Sequence, residues 1–307
     1  MTYADTRLSS DPRKKRTADE AWLQTVREVK WHGLPVGPQR STGAKGRLSF
    51  EVIGHQLCFD MRYPVVTCKP NTSWVYMAAE PIWVMSGSNK LNFSPEIARI
   101  QTPYSDNGVS LHGAYGPWYR MQKGHVIDRL DGDRNTRQAV MHFWRKNPPY
   151  MKDIACTVSA QWLIRDDEIH SIFTMRSSDV GMGLPYDMLT FACMTADIAS
   201  SLKEPVELGE CLVNAGSRHV YEDQWDTLDV DEMMPRQYSY EPWLVWKWPA
   251  IEIVLRKIAK IDVTQFNRHD VQAEAFRGIM EASGGKTDAR QDNDGNSAEP
   301  GPKGDVR

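Results

Sequence analysis

The sequence predicts an α+β protein, and three observations support this class. A capped, amphipathic helix is expected near the N-terminus, two adjacent strands in the middle of the chain, and a long apolar helix after them. Strands and helices do not alternate in the regular β-α-β units that are typical of parallel α/β folds. There is no internal repeat.

The composition is that of an ordinary globular protein. The chain has 307 residues, of which 41% are hydrophobic and 25% are charged, enough for one large domain or two small ones. A net charge of -3 gives no general attraction to nucleic acid or to a membrane. No apolar run approaches the roughly 20 residues that span a bilayer, and the N-terminus has no apolar signal core. We therefore expect a cytoplasmic protein that requires neither membrane nor nucleic acid.

The cysteines argue against a disulfide framework and against a zinc site. They are odd in number, widely spaced and without a C-x-x-C pair. We expect no bound metal, and we expect most of these residues to be buried thiols, one of which could be a nucleophile. The five are Cys58, Cys68, Cys156, Cys193 and Cys211.

Both ends of the chain are expected to lie outside the folded domain. Residues 1–16 are polar and include the basic run 13–16, which predicts a flexible arm; a nucleic-acid contact is the alternative. Residues 283–307 are mostly Gly, Asp, Asn, Lys and Pro, which cannot form a core and predict a disordered tail. The segment 17–282 is expected to form a single catalytic domain.

The first helix has clear signals for its start and its end. Thr17 and Glu20 form the pattern of a capping box, and Gly33 is expected to end the helix. Its apolar face consists of Trp22, Val26 and Val29.

The next hundred residues are expected to contain few regular elements. Residues 34–46 are rich in Gly, Pro and polar side chains and predict a loop. Leu48–Val52 and Leu57–Met61 predict a short hairpin, and Ser73–Met85 a helix. Residues 86–134 are rich in Gly, Asn, Asp and Pro, and loops of such length are usually functional.

The second half of the chain contains the strongest strand signals. A helix is expected from about Thr136 to a point before Pro148. After it come two strands, Ala155–Arg165 and Ile169–Arg176, joined by the turn at 166–168, and then the helix Tyr186–Leu202.

The segment around Cys156 is the most informative part of the sequence for a possible active site. Cys156 lies beside one strand, Arg176 ends the next, and a Gly-Pro turn at 183–187 opens a helix. A nearby arginine favours the thiolate and can bind a phosphate. A lone cysteine on a strand more often fills a core, so these residues alone leave both interpretations open.

Several motifs resemble those of the thymidylate synthase family, in the family's order, over roughly residues 18–260. The central ones are Ala155-Cys156-Thr157 and the stretch Met175-Arg-Ser-Ser-Asp-Val-Gly-Met-Gly-Leu-Pro-Tyr-Asp187. The others are Arg40-Ser-Thr-Gly43, Glu80-Pro-Ile-Trp83, Gly87-Ser-Asn89, Gly113-Ala-Tyr-Gly116, Tyr119-Arg120, Thr136-Arg-Gln138 and His219-Val-Tyr221.

The resemblance implies a folate-dependent enzyme that attaches one carbon to C5 of a pyrimidine nucleoside monophosphate, with 5,10-methylenetetrahydrofolate as cosubstrate. It implies a mixed β-sheet packed with helices, with one sheet face at a homodimer interface. Arg137 resembles an arginine that reaches the active site of the partner subunit.

The resemblance also implies a role for each site residue. Cys156 would be the nucleophile that adds to C6 of the base, Tyr115 would hydrogen-bond near it, and Glu80 would move protons. The 5'-phosphate would be bound by Arg40, Arg137, Arg176 and Ser177. The sugar would be held by His219 and Tyr221, and the base would be read by Asp187. The folate would contact Asp179, Glu80, Trp83 and Gly183.

Three departures from the family pattern favour the deoxycytidylate 5-hydroxymethylase branch. Asp187 replaces a base-reading asparagine, and a carboxyl group suits the 4-amino group of cytosine better than an amide does. The stretch Arg99–Tyr104 lacks the tryptophans that shield the methylene intermediate from water, and the C-terminus is polar. A separate departure concerns the phosphate: Gln138 replaces a second phosphate-binding arginine, which leaves one positive charge fewer.

Other functions remain open at this point. The enzyme could hydroxymethylate CMP instead of dCMP, or it could methylate dUMP or dCMP. From another class, it could be a catalytically inactive nucleotide- or RNA-binding protein. The sequence does not decide between ribose and deoxyribose; dCMP is favoured because such enzymes commonly serve the modification of phage DNA.

Overall fold

A computed structural model describes residues 16–37, 47–146 and 151–231, together with 233, 252, 253, 255, 256 and 259. The predicted tail lies outside these residues, as does the predicted N-terminal arm except for Arg16. The described chain packs helices on a six-stranded mixed sheet, which confirms the α+β class. None of its helices is long and apolar enough to cross a lipid bilayer.

The first helix, α1, spans Ala18–His32 and begins with the predicted capping box. The backbone N–H of Glu20 donates to Thr17 Oγ1 at 3.3 Å, and the backbone N–H of Thr17 donates to a Glu20 carboxylate oxygen at 2.9 Å. These bonds satisfy donors that a helix start leaves without partners. The helix ends at Gly33, as predicted. Its buried face includes Trp22, Val26 and Val29.

The strands are β1 (Leu34–Val36), β2 (Ser49–Asp60), β3 (Val140–His142), β4 (Thr157–Arg165), β5 (Glu168–Asp179) and β6 (Glu207–Tyr221). Their spatial order is β1-β2-β6-β5-β4-β3. β5 and β6 run parallel, whereas the other neighbouring pairs run antiparallel. The two strands predicted in the middle of the chain are therefore the adjacent strands β4 and β5. β1 lies in the segment that was expected to be loop, and β6 was not predicted as a strand over its length.

β4 and β5 form a tight hairpin at the predicted turn. Asp166 and Asp167 connect them, and both have positive φ angles, 51° and 60°. Two-residue hairpin turns of type I′ require this left-handed backbone at both residues, and aspartate tolerates it better than most residues.

The predicted hairpin at Leu48–Val52 and Leu57–Met61 is wrong. Both segments belong to β2, and both halves of that strand pair with β6. Gly54 lies between them with a φ angle of 70°. A glycine can adopt this left-handed conformation inside a strand, whereas in a sequence it resembles a turn signal.

The helices after α1 are α2 (Trp74–Met85), α3 (Pro95–Gln101), α4 (Gly116–Gly132), α5 (Leu184–Ser201) and α6 (Glu222–Trp225). α2 and α5 confirm the helices predicted at Ser73–Met85 and Tyr186–Leu202.

Residues 86–134 are less irregular than predicted, because they contain α3 and the 17-residue α4. The buried side chains of α4 include Tyr119, Val126 and Leu130. Their spacing of seven and four residues is helical, but they are too few to outweigh the glycines and polar residues around them in the sequence.

The helix predicted from Thr136 is wrong, because the edge strand β3 lies there. Ala139, Met141 and Phe143 are buried, whereas His142 is exposed. A period of two indicates a strand, but over only three residues the signal is weak.

The core between the sheet and α5 positions the loop that carries the candidate site. Phe173 of β5 stacks on Phe191 of α5, with ring centroids 3.8 Å apart, and Trp162 of β4 packs edge-on against Phe173. The Trp22 indole N–H of α1 donates to the Val180 carbonyl oxygen at 2.8 Å. The end of β5 and the start of α5 are thus held by buried contacts.

Candidate active site

Cys156 directly precedes β4, and Arg176 on β5 lies next to it. The backbone N–H of Arg176 donates to the Cys156 carbonyl oxygen at 2.8 Å. The guanidinium donates to the carbonyl oxygens of Ile154 and Ala155 at 2.9 and 3.0 Å, and its Nη2 lies 3.6 Å from Cys156 Sγ. Nη1 has no hydrogen bond within the described chain, so it is available to an anionic ligand.

The groups around Cys156 shift the pKa of its thiol in opposite directions. Burial raises the pKa of the thiol, and the carboxyl groups of Asp187, Asp153 and Asp179 raise the pKa further. The Arg176 guanidinium lowers the pKa, but the net shift is upward. The thiol is therefore protonated at neutral pH, and nucleophilic attack requires the proton to leave as the thiol reacts.

Tyr115 lies at the start of α4 and reaches the backbone beside the thiol. Its hydroxyl oxygen accepts from the backbone N–H of Thr157 at 3.3 Å, and its ring packs edge-on against Phe143. Burial raises the pKa of Tyr115 well above its ordinary value, and Asp187 and Cys156 add to the shift when they are ionised. The phenol therefore keeps its proton and can donate a hydrogen bond at this position.

Glu80, on α2, ends a short chain of hydrogen bonds. Gln101 Nε2 donates to the Tyr76 hydroxyl at 2.5 Å, and that hydroxyl donates to a Glu80 carboxyl oxygen at 2.5 Å. Thr190 Oγ1 of α5 donates to the other oxygen at 3.2 Å. Burial raises the pKa of Glu80, although the Tyr76 and Thr190 bonds partly offset the shift. A carboxyl group with a raised pKa can exchange protons closer to neutral pH.

The segment from the end of β5 to the start of α5 carries two more carboxyl groups of the candidate site. Asp179 accepts from the backbone N–H groups of Gly181 at 2.8 Å and Met182 at 3.1 Å. The backbone N–H of Gly183 donates to the Asp179 carbonyl oxygen at 3.1 Å, and the Gly183 carbonyl oxygen accepts from the backbone N–H of Asp187 at 3.0 Å. These bonds hold Asp179 and Asp187 on the same short segment.

The carboxyl groups of Glu80 and Asp179 act on the carboxyl group of Asp187. Burial raises the pKa of Asp187 well above its ordinary value, and the charges of Glu80 and Asp179 act in the same direction. Arg218 acts against them. This environment favours the neutral acid form of Asp187, which can donate one hydrogen bond and accept another.

His219 and Tyr221 lie at the end of β6, with ring centroids 5.0 Å apart. Burial lowers the pKa of His219, so its imidazole is neutral at neutral pH. Its Nδ1 is buried and has no hydrogen-bond partner within the described chain. Buried polar atoms are usually paired, so this nitrogen suits a ligand hydroxyl group.

Arg47 is a neighbouring residue that the sequence reasoning missed. Its guanidinium carbon lies 4.0 Å from the Tyr221 ring centroid, and the guanidinium forms an ion pair with Asp223. The only signal in the sequence was its place just after the segment that contains Arg40. The stacking on Tyr221 depends on β2 pairing with β6, which local sequence does not show.

The remaining predicted site residues have fewer described contacts with the residues above. Ser177 follows Arg176 on β5, and Trp83 on α2 is buried with its indole N–H unpartnered among the described residues. Arg137 is exposed before β3, and its side chain has no hydrogen bond or ion pair with another candidate residue in the described chain. Arg40 lies outside the described residues. Within the described chain, no group of three or more His, Cys, Asp or Glu residues could hold a metal ion.

The candidate site combines a thiol beside an arginine with carboxyl groups and a buried imidazole on other elements. This combination is typical of enzymes in which a cysteine attacks an anionic substrate. The family model described as thymidylate synthase matches residues 20–276. The chain belongs to the thymidylate synthase family, and its fold is the α+β fold of that family. It is a one-carbon transferase of a family with a catalytic cysteine, and it acts in folate-dependent transfer to C5 of a pyrimidine nucleotide.

Proposed function

We propose that the enzyme is a cytidylate 5-hydroxymethylase, with dCMP as the favoured substrate. The reaction converts dCMP, methylenetetrahydrofolate and water into 5-hydroxymethyl-dCMP and tetrahydrofolate. The observation that carries this proposal is the environment of Asp187, whose pKa is raised by burial and by the neighbouring carboxyl groups of Glu80 and Asp179.

A neutral carboxyl group at Asp187 complements the edge of cytosine. Its O–H can donate to N3, and its carbonyl oxygen can accept from the 4-amino group. Uracil can also pair with a neutral acid, through its N3–H and O4, so pairing in the ground state discriminates only in part.

The addition step distinguishes cytosine from uracil more strongly than pairing in the ground state does. When the Cys156 sulfur bonds to C6, the electron pair of the C5–C6 double bond is delocalised through C4. In cytosine this charge reaches N3, a good proton acceptor that faces Asp187, whereas in uracil it reaches the less basic O4. Transfer of the Asp187 proton to N3 would leave the cytosine adduct uncharged. Interactions that strengthen in the transition state raise the rate, so this proton favours cytosine.

The remaining residues have roles in the same sequence of steps. Arg176 and Ser177 bind the 5'-phosphate, His219 and Tyr221 hold the sugar, and Cys156 activates C5. Methylenetetrahydrofolate supplies the carbon when bound. C5 forms the new C–C bond and loses its proton, the C–N bond to the folate breaks, and water adds to the resulting exocyclic methylene. Elimination of the Cys156 thiolate from C6 then restores the aromatic ring, while the N3 proton returns to the Asp187 carboxylate.

The polar surroundings of Glu80 support water, and not hydride, as the nucleophile that adds to the exocyclic methylene. α3 and the short helical turn Thr102–Tyr104 occupy the stretch that lacks tryptophan. From it, Gln101 is joined through Tyr76 to Glu80. A carboxyl group in such a chain can position a water molecule and take its proton.

The chain has groups that suit a folate. The Trp83 indole is buried on α2, and its N–H has no hydrogen-bond partner among the residues that the structure describes. The Asp179 carboxyl can accept from the amino and N–H groups of a pterin, and Gly183 keeps its loop free of a side chain. These residues would hold the cosubstrate beside the nucleotide.

We also propose a homodimer with shared sites, in which Arg137 of each subunit binds the phosphate held by its partner. Its exposure, and the absence of bonds to other candidate residues within the described chain, support this role. On β5, Phe173 is buried towards α5, whereas Thr174 and Arg176 remain exposed. The sheet face that carries such exposed side chains is the proposed interface.

The test is analysis of the products that the enzyme makes from dCMP, CMP and dUMP with methylenetetrahydrofolate. We expect mass spectrometry to detect hydroxymethylated dCMP, without dihydrofolate formation. A methylated product accompanied by dihydrofolate would show a methylase. Binding without turnover would show an inactive nucleotide-binding protein. Either result would contradict the proposal.

A further inference from the structure

A buried tyrosine, Tyr76, lies between the Glu80 carboxyl group and the short helix α3. Tyr76 and Glu80 are four residues apart on α2, and this spacing places two side chains on the same face of a helix. The Tyr76 hydroxyl donates to Glu80 Oε1 at 2.5 Å, and its oxygen accepts from Nε2 of Gln101, the last residue of α3, at 2.5 Å. The single proton of the hydroxyl is therefore directed to Glu80.

Bonds between helices hold the Tyr76 side chain in place. Ser73, which caps the start of α2, donates through Oγ to Glu96 Oε1 of α3 at 2.6 Å. The backbone N–H of Ser73 donates to the Tyr186 hydroxyl of α5 at 3.1 Å. The Tyr186 ring packs edge-on against the Tyr76 ring, with centroids 4.9 Å apart. Tyr76 itself is only 3% exposed. Its hydroxyl therefore has little freedom to turn away from Glu80.

The Glu80 carboxyl group keeps room for a further donor. Tyr76 donates to Oε1, and Thr190 Oγ1 of α5 donates to Oε2 at 3.2 Å. Each carboxylate oxygen has two lone-pair sites, so within the described chain each oxygen keeps one site free. Glu80 is partly exposed, whereas Tyr76 is buried. A water molecule can therefore reach the carboxyl group, whose orientation is fixed by the two bonds.

The same two bonds favour the ionised form of Glu80. Burial raises the pKa of this carboxyl group, and the bonds from Tyr76 and Thr190 lower the pKa. Without the Tyr76 bond the pKa of Glu80 would lie higher, and the ionised fraction at neutral pH would be smaller. Only the ionised form can take a proton from water.

The titratable groups of the neighbouring helices leave the Glu80 carboxyl group without a cation beside it in the described chain. On α5, Tyr186 and Asp187 both have a raised pKa and are uncharged at neutral pH. On α3, Glu96 and Arg99 form an ion pair with each other. On α4, Arg120 donates to the carbonyl group that follows the C-terminal end of α2. The hydroxyl donors are therefore what supports the carboxylate.

We propose that Tyr76 and Gln101 are positioning residues that hold Glu80 ready to bind and deprotonate the water that adds to the exocyclic methylene. The water oxygen bonds to the methylene carbon, and its proton passes to Glu80. The electron pair of the methylene double bond moves into the ring, from which the Cys156 thiolate is then expelled. Neither Tyr76 nor Gln101 needs to touch the substrate. This inference rests on the proposed function, because it requires water as the nucleophile.

Competition between water and an added thiol tests the inference. 2-Mercaptoethanol supplies a thiolate from solution that needs no base in the active site. Its sulfur can bond to the same methylene carbon, which gives a thioether of dCMP. Both products arise from one intermediate, so the effects of a substitution on earlier steps cancel in the ratio of hydroxymethyl product to thioether. Mass spectrometry measures this ratio.

The central variant is Tyr76→Phe, which removes the donor and keeps the ring. We expect the ratio of hydroxymethyl product to thioether to fall about tenfold at pH 7, because the carboxylate loses one of its two hydrogen bonds. Relative to the wild type at each pH, the deficit should grow as the pH falls, since the higher pKa of Glu80 leaves less carboxylate.

Gln101→Leu provides an independent variant at a partly exposed position. It leaves the Tyr76 hydroxyl in place but removes the donor that directs its proton, so a smaller fall of the ratio is expected. An unchanged ratio in either variant would contradict the proposal. If Tyr76→Phe protein is insoluble, the ratio measured for Gln101→Leu decides alone.

The matched control is Tyr186→Phe, which removes a hydroxyl from the ring that packs on Tyr76 and makes no bond to Glu80. This variant should keep the wild-type ratio. An equal fall in the control would show a general disturbance of the helices and overturn the inference. A wild type that forms a methylated product with dihydrofolate would contradict the proposed function itself, whereas hydroxymethylation with unchanged ratios would contradict only this inference.

Discussion

The pKa of the Cys156 thiol results from opposing influences. Burial and carboxyl groups raise its pKa, and the Arg176 guanidinium lowers it. Because the net pKa lies above the ordinary range, the thiolate fraction is small at neutral pH and increases as the pH rises. Binding a substrate whose C6 accepts the sulfur can still drive the reaction, provided that the proton has an acceptor.

This balance predicts the pH dependence of alkylation. We expect the rate at which iodoacetamide modifies Cys156 to increase steadily from pH 7 to beyond the range in which a free cysteine levels off. The measurement is peptide mass spectrometry across pH. Arg176→Gln removes the lowering influence and should slow modification at each pH. A rate that reaches its plateau below neutral pH would contradict a raised pKa.

Substitution of Cys156, the proposed nucleophile, is expected to abolish turnover without abolishing nucleotide binding. Cys156→Ala should abolish turnover, because C5 is then not activated, while calorimetry still detects the nucleotide. Cys58→Ala is the matched control, since Cys58 is also a partly buried free thiol but lies on β2. Appreciable turnover by the Cys156→Ala protein would rule out the proposed mechanism.

Sequence motifs indicated the candidate site residues that lie close together along the chain. Cys156, Arg176, Asp179 and Asp187 belong to two neighbouring motifs, and the hairpin and loop that join them bring them together. Arg47 and Tyr76 could not be predicted in this way. The place of Arg47 depends on the pairing of β2 with β6, and that of Tyr76 on the packing of α3 against α2, which no short pattern reveals.

At the level of elements, two glycines with open space around them differ only in backbone conformation. Gly54 in β2 has a φ angle of 70°, whereas Gly124 lies inside α4; a Cβ atom would meet nothing within 4 Å at either position. Packing is therefore removed as a variable, and the backbone alone decides the effect of a methyl group.

Alanine at these two positions should change stability in opposite directions. Gly54→Ala forces a left-handed backbone on an L-residue and should destabilise the protein by about 1–2 kcal/mol. Gly124→Ala should stabilise it by about 0.5–1 kcal/mol. Urea unfolding of both variants measures the free energies. Equal effects would contradict the described conformation of β2.

Elements with several agreeing signals were predicted, and elements with one weak signal were not. α1 has a capping box, an apolar face and a terminal glycine, and the β4–β5 hairpin has a turn between two apolar runs. In contrast, β3 has three residues, α4 has few buried side chains, and β2 has a glycine at its centre. In each of these failures tertiary packing, and not local preference, decides the structure.

At the level of the whole molecule, the proposed dimer predicts complementation. Cys156→Ala and Arg137→Ala proteins should each be inactive, but a hybrid dimer contains one site with both residues intact. Random exchange between equal amounts should restore at most roughly a quarter of wild-type activity, since half the dimers are hybrids with one working site. Native mass spectrometry verifies the exchange. Hybrids without activity would exclude a shared site.

The central claim is that Asp187 directs the enzyme to cytosine. The most direct test is the ratio of kcat/KM for dCMP to that for dUMP, in the wild type and in Asp187→Asn, because this ratio compares the two transition states. A mispaired buried polar group costs roughly 1–3 kcal/mol, so the ratio should change by about ten- to a hundredfold. We predict a wild type that prefers dCMP and a variant shifted towards dUMP. A wild type that prefers dUMP, or a ratio that the substitution leaves unchanged, would contradict the account.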